Sequence, residues 1–303
     1  MLAGCTALAV NGCSSRASRP TSVPAGQPPT ATGSIPAGPT PGGRVNDGPA
    51  LTGSFSSWIF TRAALQSVLA DQSVVRVLSH GKIYVILKGR QRPVTQVKAI
   101  PTAVFDSFES LQQALRSHTL PEGTGAVMLD LEAWSLTPVS EQQHAFDYYT
   151  QAAAAVHGAG LEFIASPGRD LVKTLDPNGK GPIGQRLLSI GLIGSVARTA
   201  DVVNIQAQGM ERDTAAYRSF VQQAATQARL GNPRATITAG LSSNPAGPAV
   251  SPEQLSAALQ SVRGVVSGFW MNIPGHGPQC PRCKAPAPEV AIAALRASGD
   301  TTR

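Results

Sequence analysis

Two carboxylates and a tryptophan at the end of one apolar run are the residues of this chain best placed to do chemistry. Gly125-Ala126-Val127-Met128-Leu129 runs into Asp130-Leu131-Glu132-Ala133-Trp134. If Ala126–Glu132 is a strand, side chains alternate between its faces. Asp130 and Glu132 then point the same way, roughly 6.5–7 Å apart at Cα. Paired acids can divide labour, one holding a proton to donate while the other tunes or orients the reacting centre. Two acids ending a core strand are costly unless solvated or paired, so the pair is expected at a cleft.

The elements that would position this pair repeat along the chain. Short Val-, Ile- and Leu-rich runs predict strands at Lys82–Leu87, Ala126–Glu132, Leu161–Ser166, Asp201–Gln206, Ala235–Leu241 and Ser267–Ile273. Several are continuously apolar, as parallel strands buried on both faces should be. Ser56–Phe60, Val74–Leu78 and Thr102–Phe105 are weaker strand candidates. Helices are predicted over Ser140–His157, Ile183–Arg198, Asp213–Leu230 and Pro252–Val262. Asp213 reads as an N-cap, Pro252 follows the cap Ser251, and Gly158 and Gly231 read as helix ends. Strand then helix, repeated over residues 54–303, predicts an α/β fold, a (β/α)8 barrel of the TIM type. A doubly wound open sheet is the alternative. No Gly-x-Gly-x-x-Gly follows a strand, which argues against its dinucleotide-binding form.

Function in such a barrel sits at the C-terminal strand ends, and those ends are polar here. Besides Asp130, Glu132 and Trp134 they offer Arg169, Gln206, Gln208, Asn244, Trp270 and Asn272. Amides and carboxylates hydrogen-bond hydroxyl groups, and indole faces stack on pyranose rings. The set therefore suits a carbohydrate or glycan ligand. Glu132 is expected as general acid and Asp130 as its partner, with the remaining residues binding substrate. A barrel that binds a glycan or envelope component at the same mouth without turning it over is the rival reading, and a purely structural envelope protein is a third.

Met128-Leu129-Asp130-Leu131-Glu132 resembles the end of the Asp-x-x-Asp-x-Asp-x-Glu motif of family 18 chitinases. Val203-Asn204-Ile205-Gln206-Ala207-Gln208 resembles that family's later strand bearing Met-x-Tyr-Asp, and Gly268-Phe269-Trp270 its last-strand tryptophan. The resemblance implies that Glu132 protonates the leaving group and that Asp130 orients a substrate acetamido group acting as nucleophile. It covers about 20 residues in three segments. The motif's first two Asp positions are Gly125 and Met128, and the later Tyr and Asp are Gln208 and Gly209. Together the segments also resemble a group of uncharacterised actinobacterial barrel proteins, in the Asp-Leu-Glu-Ala-Trp, Gln-Ala-Gln and Gly-Phe-Trp-Met-Asn-Ile-Pro pieces.

Outside the barrel pattern, Leu2-Ala3-Gly4-Cys5 has the form of a lipobox, with Cys5 as the lipidated residue, and Val10-Asn11-Gly12-Cys13 is a poorer second. Residues 1–13 are read as the remnant of a lipoprotein signal. Residues 14–53 are rich in Pro, Gly, Ser and Thr and predict a disordered tether, because they carry too little apolar surface to offset ordering entropy. The layout is that of an exported protein, either a cell-envelope lipoprotein held to the membrane by lipid alone or a secreted one. Cys280-Pro281-Arg282-Cys283 then reads as a disulfide, with a metal site including His276 and a redox pair as alternatives. The chain of 303 residues carries 25 Lys and Arg against 18 Asp and Glu. These basic residues are scattered and not interleaved with aromatics, so no nucleic-acid partner is expected. No cofactor is expected, and neither a Gly-x-Ser-x-Gly nor a His-Glu-x-x-His motif is present.

Overall fold

The computed structural model describes residues 55–89, 91–277 and 280–299. Cys5 and the tether lie outside the described residues. Eight strands, β1 (Ser57–Thr61), β2 (Lys82–Leu87), β3 (Ala99–Phe105), β4 (Ala126–Leu129), β5 (Glu162–Ala165), β6 (Val202–Ile205), β7 (Thr236–Ser242) and β8 (Gly268–Asn272), form one closed sheet in chain order. Every neighbouring pair is parallel, and β8 pairs with β1. Helices occupy the connections, as parallel crossovers require. This is a (β/α)8 barrel of the TIM type.

Alternation along the strands divides the core in two. Ile59, Tyr84, Ile86, Ala126, Met128, Ile164, Val202 and Trp270 pack together inside the barrel. Trp58, Phe60, Val85, Val127, Phe163, Val203 and Phe269 belong to the larger cluster shared with the helices. Each fully buried side chain of this size contributes about 1.5–3 kcal/mol relative to exposure. At the N-terminal end, Glu162 accepts from Lys82 Nζ (2.7 Å) and from the Tyr84 hydroxyl (2.7 Å). These contacts lie at the end opposite the strand tips that carry the expected site.

Three expectations change. Val74–Leu78 is not a strand but most of the helix Gln72–Leu78, which buries Val74 and Leu78 one turn apart. Asp71 caps it, accepting from the Ser73 and Val74 amides at 2.9 and 3.1 Å. The expected helix over Ser140–His157 is two helices, Val139–Gln143 and Ala145–Gly158, broken at His144 where φ is −119°. The one over Ile183–Arg198 breaks at Gly191, whose φ of 70° suits a residue without Cβ. Helices Thr214–Gly231 and Pro252–Ser261 form as read. Asp213 caps the first, and Ser251 with Gln254 forms a capping box on the second. Among the described residues no helix is long and apolar enough to cross a membrane.

Barrel closure depends on one glycine. A Cβ at Gly268 would lie 1.6 Å from the Ser57 carbonyl oxygen of β1, so any side chain there forces the closing strands apart. We expect Gly268→Ala to cost about 3 kcal/mol or more, read as a lowered urea midpoint. An unchanged midpoint would mean that the β1–β8 seam slides freely.

Candidate functional site

Asp130 and Glu132 lie just beyond β4, which ends at Leu129 rather than at Glu132. The ladder nevertheless continues on both flanks. Asp130 donates its amide to the Phe105 carbonyl (2.9 Å), and the Leu131 carbonyl accepts from Gly168 (2.8 Å). The Leu131 amide donates to the buried Tyr149 hydroxyl at 3.2 Å. Two backbone hydrogen bonds and the Tyr149 hydroxyl therefore preserve the strand alternation, and both carboxylates line the barrel mouth. Gly168 permits the close approach of the β5 loop, since a Cβ there would sit 2.8 Å from Glu132 Cγ.

The mouth holds a cavity of about 900 Å³, lined among others by Asp106, Asp130, Glu132, Gln206, Gln208 and Trp270. That is within the range of small-molecule sites. A neutral network supports the acids from below. Gln206 Nε2 donates to Asp130 Oδ1 (2.6 Å) and to the Ser166 carbonyl (3.2 Å). Beneath it Asn204 Nδ2 donates to Ser166 Oγ (3.1 Å), and Thr238 Oγ1 donates to Asn204 Oδ1 (3.1 Å). Val203-Asn204-Ile205-Gln206 therefore supplies inward amides at alternate positions, as β6 periodicity dictates.

Burial and crowding raise the pKa of these acids above their usual range. Desolvation raises Asp130 well above an ordinary carboxylate, and the neighbouring Glu132 adds to it. Desolvation followed by the charge of Asp170 raises Glu132 to about 7, with Gln206 and Arg169 acting against it. Asp106 is raised by burial and lowered by Lys88. A carboxyl near neutrality that lines an open cleft can give up and regain a proton at physiological pH.

Thr137 organises the rim. Its hydroxyl donates to the Asp106 carbonyl (2.7 Å) and accepts from Trp134 Nε1 (2.9 Å) and from the Glu132 amide (3.3 Å). Asp170 Oδ1 accepts the Ala133 amide at 2.9 Å. Gln142 donates to the Trp134 and Thr137 carbonyls at 3.0 and 2.8 Å. Trp134 is thereby fixed at the mouth, half-buried, with its ring on the cavity wall.

Most of the other expected residues converge on the same cavity. Arg169 lines it, donates to the Gln208 carbonyl at 2.7 Å and lies over the Phe220 ring. Gln208 rests on Gly240 of β7, where a Cβ would lie 2.2 Å from its carboxamide carbon. Trp270 and Asn272 reach the cavity from β8. Asn244 is placed differently. Its Nδ2 donates to the Pro274, Lys284 and Ala285 carbonyls at 2.9, 3.1 and 3.0 Å, so it anchors the loop after β8 and lies outside the lining. Cys280 and Cys283 form a disulfide in that loop, with Cα atoms 5.3 Å apart, and line the cavity edge. Among the described residues no group of three or more His, Cys, Asp or Glu side chains is placed to hold a metal ion.

Sequence reading missed Asp106, Thr137 and Glu211. Asp106 directly follows β3, the position that should have flagged it, but β3 was a weak strand candidate. Glu211 is fully buried, and its Oε1 and Oε2 accept the Ser242 and Gly209 amides at 2.7 and 2.8 Å. Burial lifts it to about 7. No local pattern marks it, because its partners come from two different strand ends.

No family model matches the chain, and no curated protein sequence matches it. Among solved structures the chain is similar to a GH2 β-galacturonidase from Eisenbergiella tayi bound to galacturonate, with TM-score 0.46 and 10% identity over 80% of this chain and 51% of that one. It is also similar to the catalytic domain of a family GH18 chitinase from the fern Peteris ryukyuensis, with TM-score 0.45 and 15% identity over 80% of this chain and 100% of that one. A third is triosephosphate isomerase from Bartonella henselae, with TM-score 0.42 and 11% identity over 82% and 98%. The chain spans about half the length of the β-galacturonidase. The strand pairing itself defines the fold.

The raised carboxyls make stability depend on pH with a definite sign. The folded state keeps protons on Glu132 and Glu211 that an unfolded chain releases near its ordinary carboxylate pKa. Their contribution is complete below about pH 4.3 and is lost as pH rises through about 7. We expect the urea midpoint to fall between pH 5 and pH 7.5 in the wild type, and less steeply in Glu132→Gln. Identical slopes would show that Glu132 titrates alike in both states.

Proposed function

We propose that the mouth of this barrel binds a glycan and that Glu132 acts there as the general acid of glycoside hydrolysis. The observation that carries the reading is Glu132 itself: a carboxyl raised to about 7 on the wall of a cleft of about 900 Å³ that Asp130 and Trp134 also line. As the bond between the anomeric carbon and the bridging oxygen breaks, Glu132 gives its proton to that oxygen. Asp130, held by Gln206, orients the group that meets the anomeric carbon. Water then completes the hydrolysis and returns a proton to Glu132. Gln206, Gln208 and Asn272 offer amides to sugar hydroxyls, Arg169 borders them, and Trp270 or Trp134 offers a stacking face. Asn244 serves this site through the loop it anchors.

A non-catalytic glycan-binding barrel is favoured by one observation. Asp130 is supported by the neutral Gln206 and Ser166, and Gly125 and Met128 stand where the chitinase motif carries acids. Hydrolysis of fluorogenic glycosides and of chito- and gluco-oligosaccharides separates the two. We expect turnover whose rate falls above about pH 7 as Glu132 loses its proton, and a decrease of about 10²–10⁴-fold in kcat for Glu132→Gln with KM little changed. Binding without turnover in wild type would establish the binding module instead.

The same reading takes Cys5 as a lipid anchor at the cell surface. In membrane fractionation of a host that exports the protein, Cys5→Ser is expected to move it from the membrane to the soluble fraction. An unchanged distribution would remove the anchor.

A further inference from the structure

A second cavity continues the mouth on its β6–β7 side. It measures about 310 Å³ and shares Gly209, Pro245 and Ala246 with the main cavity. Beyond that shared wall it is bordered by Met210, Arg212 and Ala216. The wall is anchored, since buried Glu211 accepts amides from both of its roots, Gly209 after β6 and Ser242 at the end of β7. Gly209 itself has φ of 86°, and a Cβ there would meet nothing within 4 Å. At Gly209 the boundary between the two cavities therefore carries no side chain.

The chemistry of the second cavity is mixed in a particular way. Met210, Pro245 and Ala246 present apolar surface. Asp213 is engaged as helix cap, accepting the Ala216 amide at 2.9 Å. Arg212 is exposed at the edge, at the positive N-terminal end of the helix Thr214–Gly231. An apolar patch beside a guanidinium matches one face of a pyranose, whose C–H groups pack on apolar surface while its hydroxyls accept hydrogen bonds.

The geometry points to an extended saccharide site: the ligand of the main cleft is an oligosaccharide whose chain crosses Gly209 and seats a further sugar unit against Met210 and Arg212. This rests on the glycan reading of the main cleft and adds to it the length and direction of the ligand. Calorimetry of the full chain with the disaccharides and hexasaccharides of the chito- and gluco- series tests it, using wild type, Arg212→Ala and the cavity-filling Ala216→Trp. Residues 212 and 216 are both exposed, so either variant reports even if the other folds poorly. In the series that binds, the hexasaccharide is expected to bind wild type at least about tenfold more tightly than the disaccharide. Each variant should erase that advantage while leaving disaccharide affinity in place. Disaccharide binding with no gain from length, or a gain that survives both variants, overturns the extended site and leaves the glycan reading standing. Binding of no saccharide of either length overturns both.

Discussion

Closure of the parallel sheet is the constraint on which the rest of this molecule depends. The seam between β1 and β8 exists because Gly268 has no side chain where the Ser57 carbonyl must pass. Once the ring is closed, strand alternation leaves no freedom about what faces inward. The same periodicity that buries Ile59, Met128 and Ile164 sends Asp130, Glu132, Gln206, Gln208 and Asn272 to one end. Closure brings the strand-end residues of the site together, and side chains such as Thr137 and Glu211 then hold the loops around them.

Electrostatically, the mouth crowds acids together, and burial outweighs the positive charge of Arg169 near Glu132 and of Lys88 near Asp106. Asp130 meets a neutral amide at 2.6 Å and not a guanidinium. Arg169, which could have paired with a carboxylate, donates to the Gln208 carbonyl instead. Desolvation therefore dominates, raising Asp130 well above an ordinary carboxylate and Glu132 to about 7.

The loops are held by neutral hydrogen bonds and by side chains drawn from distant elements. Thr137 joins the ends of β3 and β4, Asn244 ties the loop after β8 through three carbonyls, and Glu211 joins the ends of β6 and β7. Each fixes backbone that would otherwise be free to fluctuate around the cleft. Positioning of this kind keeps Trp134 and Gln208 at the wall of the cavity and gives the second cavity a firm boundary.

What the sequence determined by itself was periodic or local. Apolar runs between helical patterns specified a parallel β/α barrel, and the Asp213 and Ser251 caps marked helix starts where they form. The alternation of Asp130 and Glu132 placed both acids on one face. Amide-bearing strand ends pointed to the mouth, including Gln206, Gln208 and Asn272. Patterns of this sort are legible because each residue's outcome depends on neighbours within a turn or along one strand. The short helix at Gln72–Leu78 was misread because a brief Val- and Leu-rich run fits either period, and only packing against the sheet decides. Tertiary structure alone decided that Asn244 anchors a loop, that Glu211 bridges two strand ends, and that Thr137 and Asp106 belong to the rim. It also raised the pKa of Asp130 and Glu132. Those properties arise between residues far apart in the chain, through burial and charge that no single segment carries.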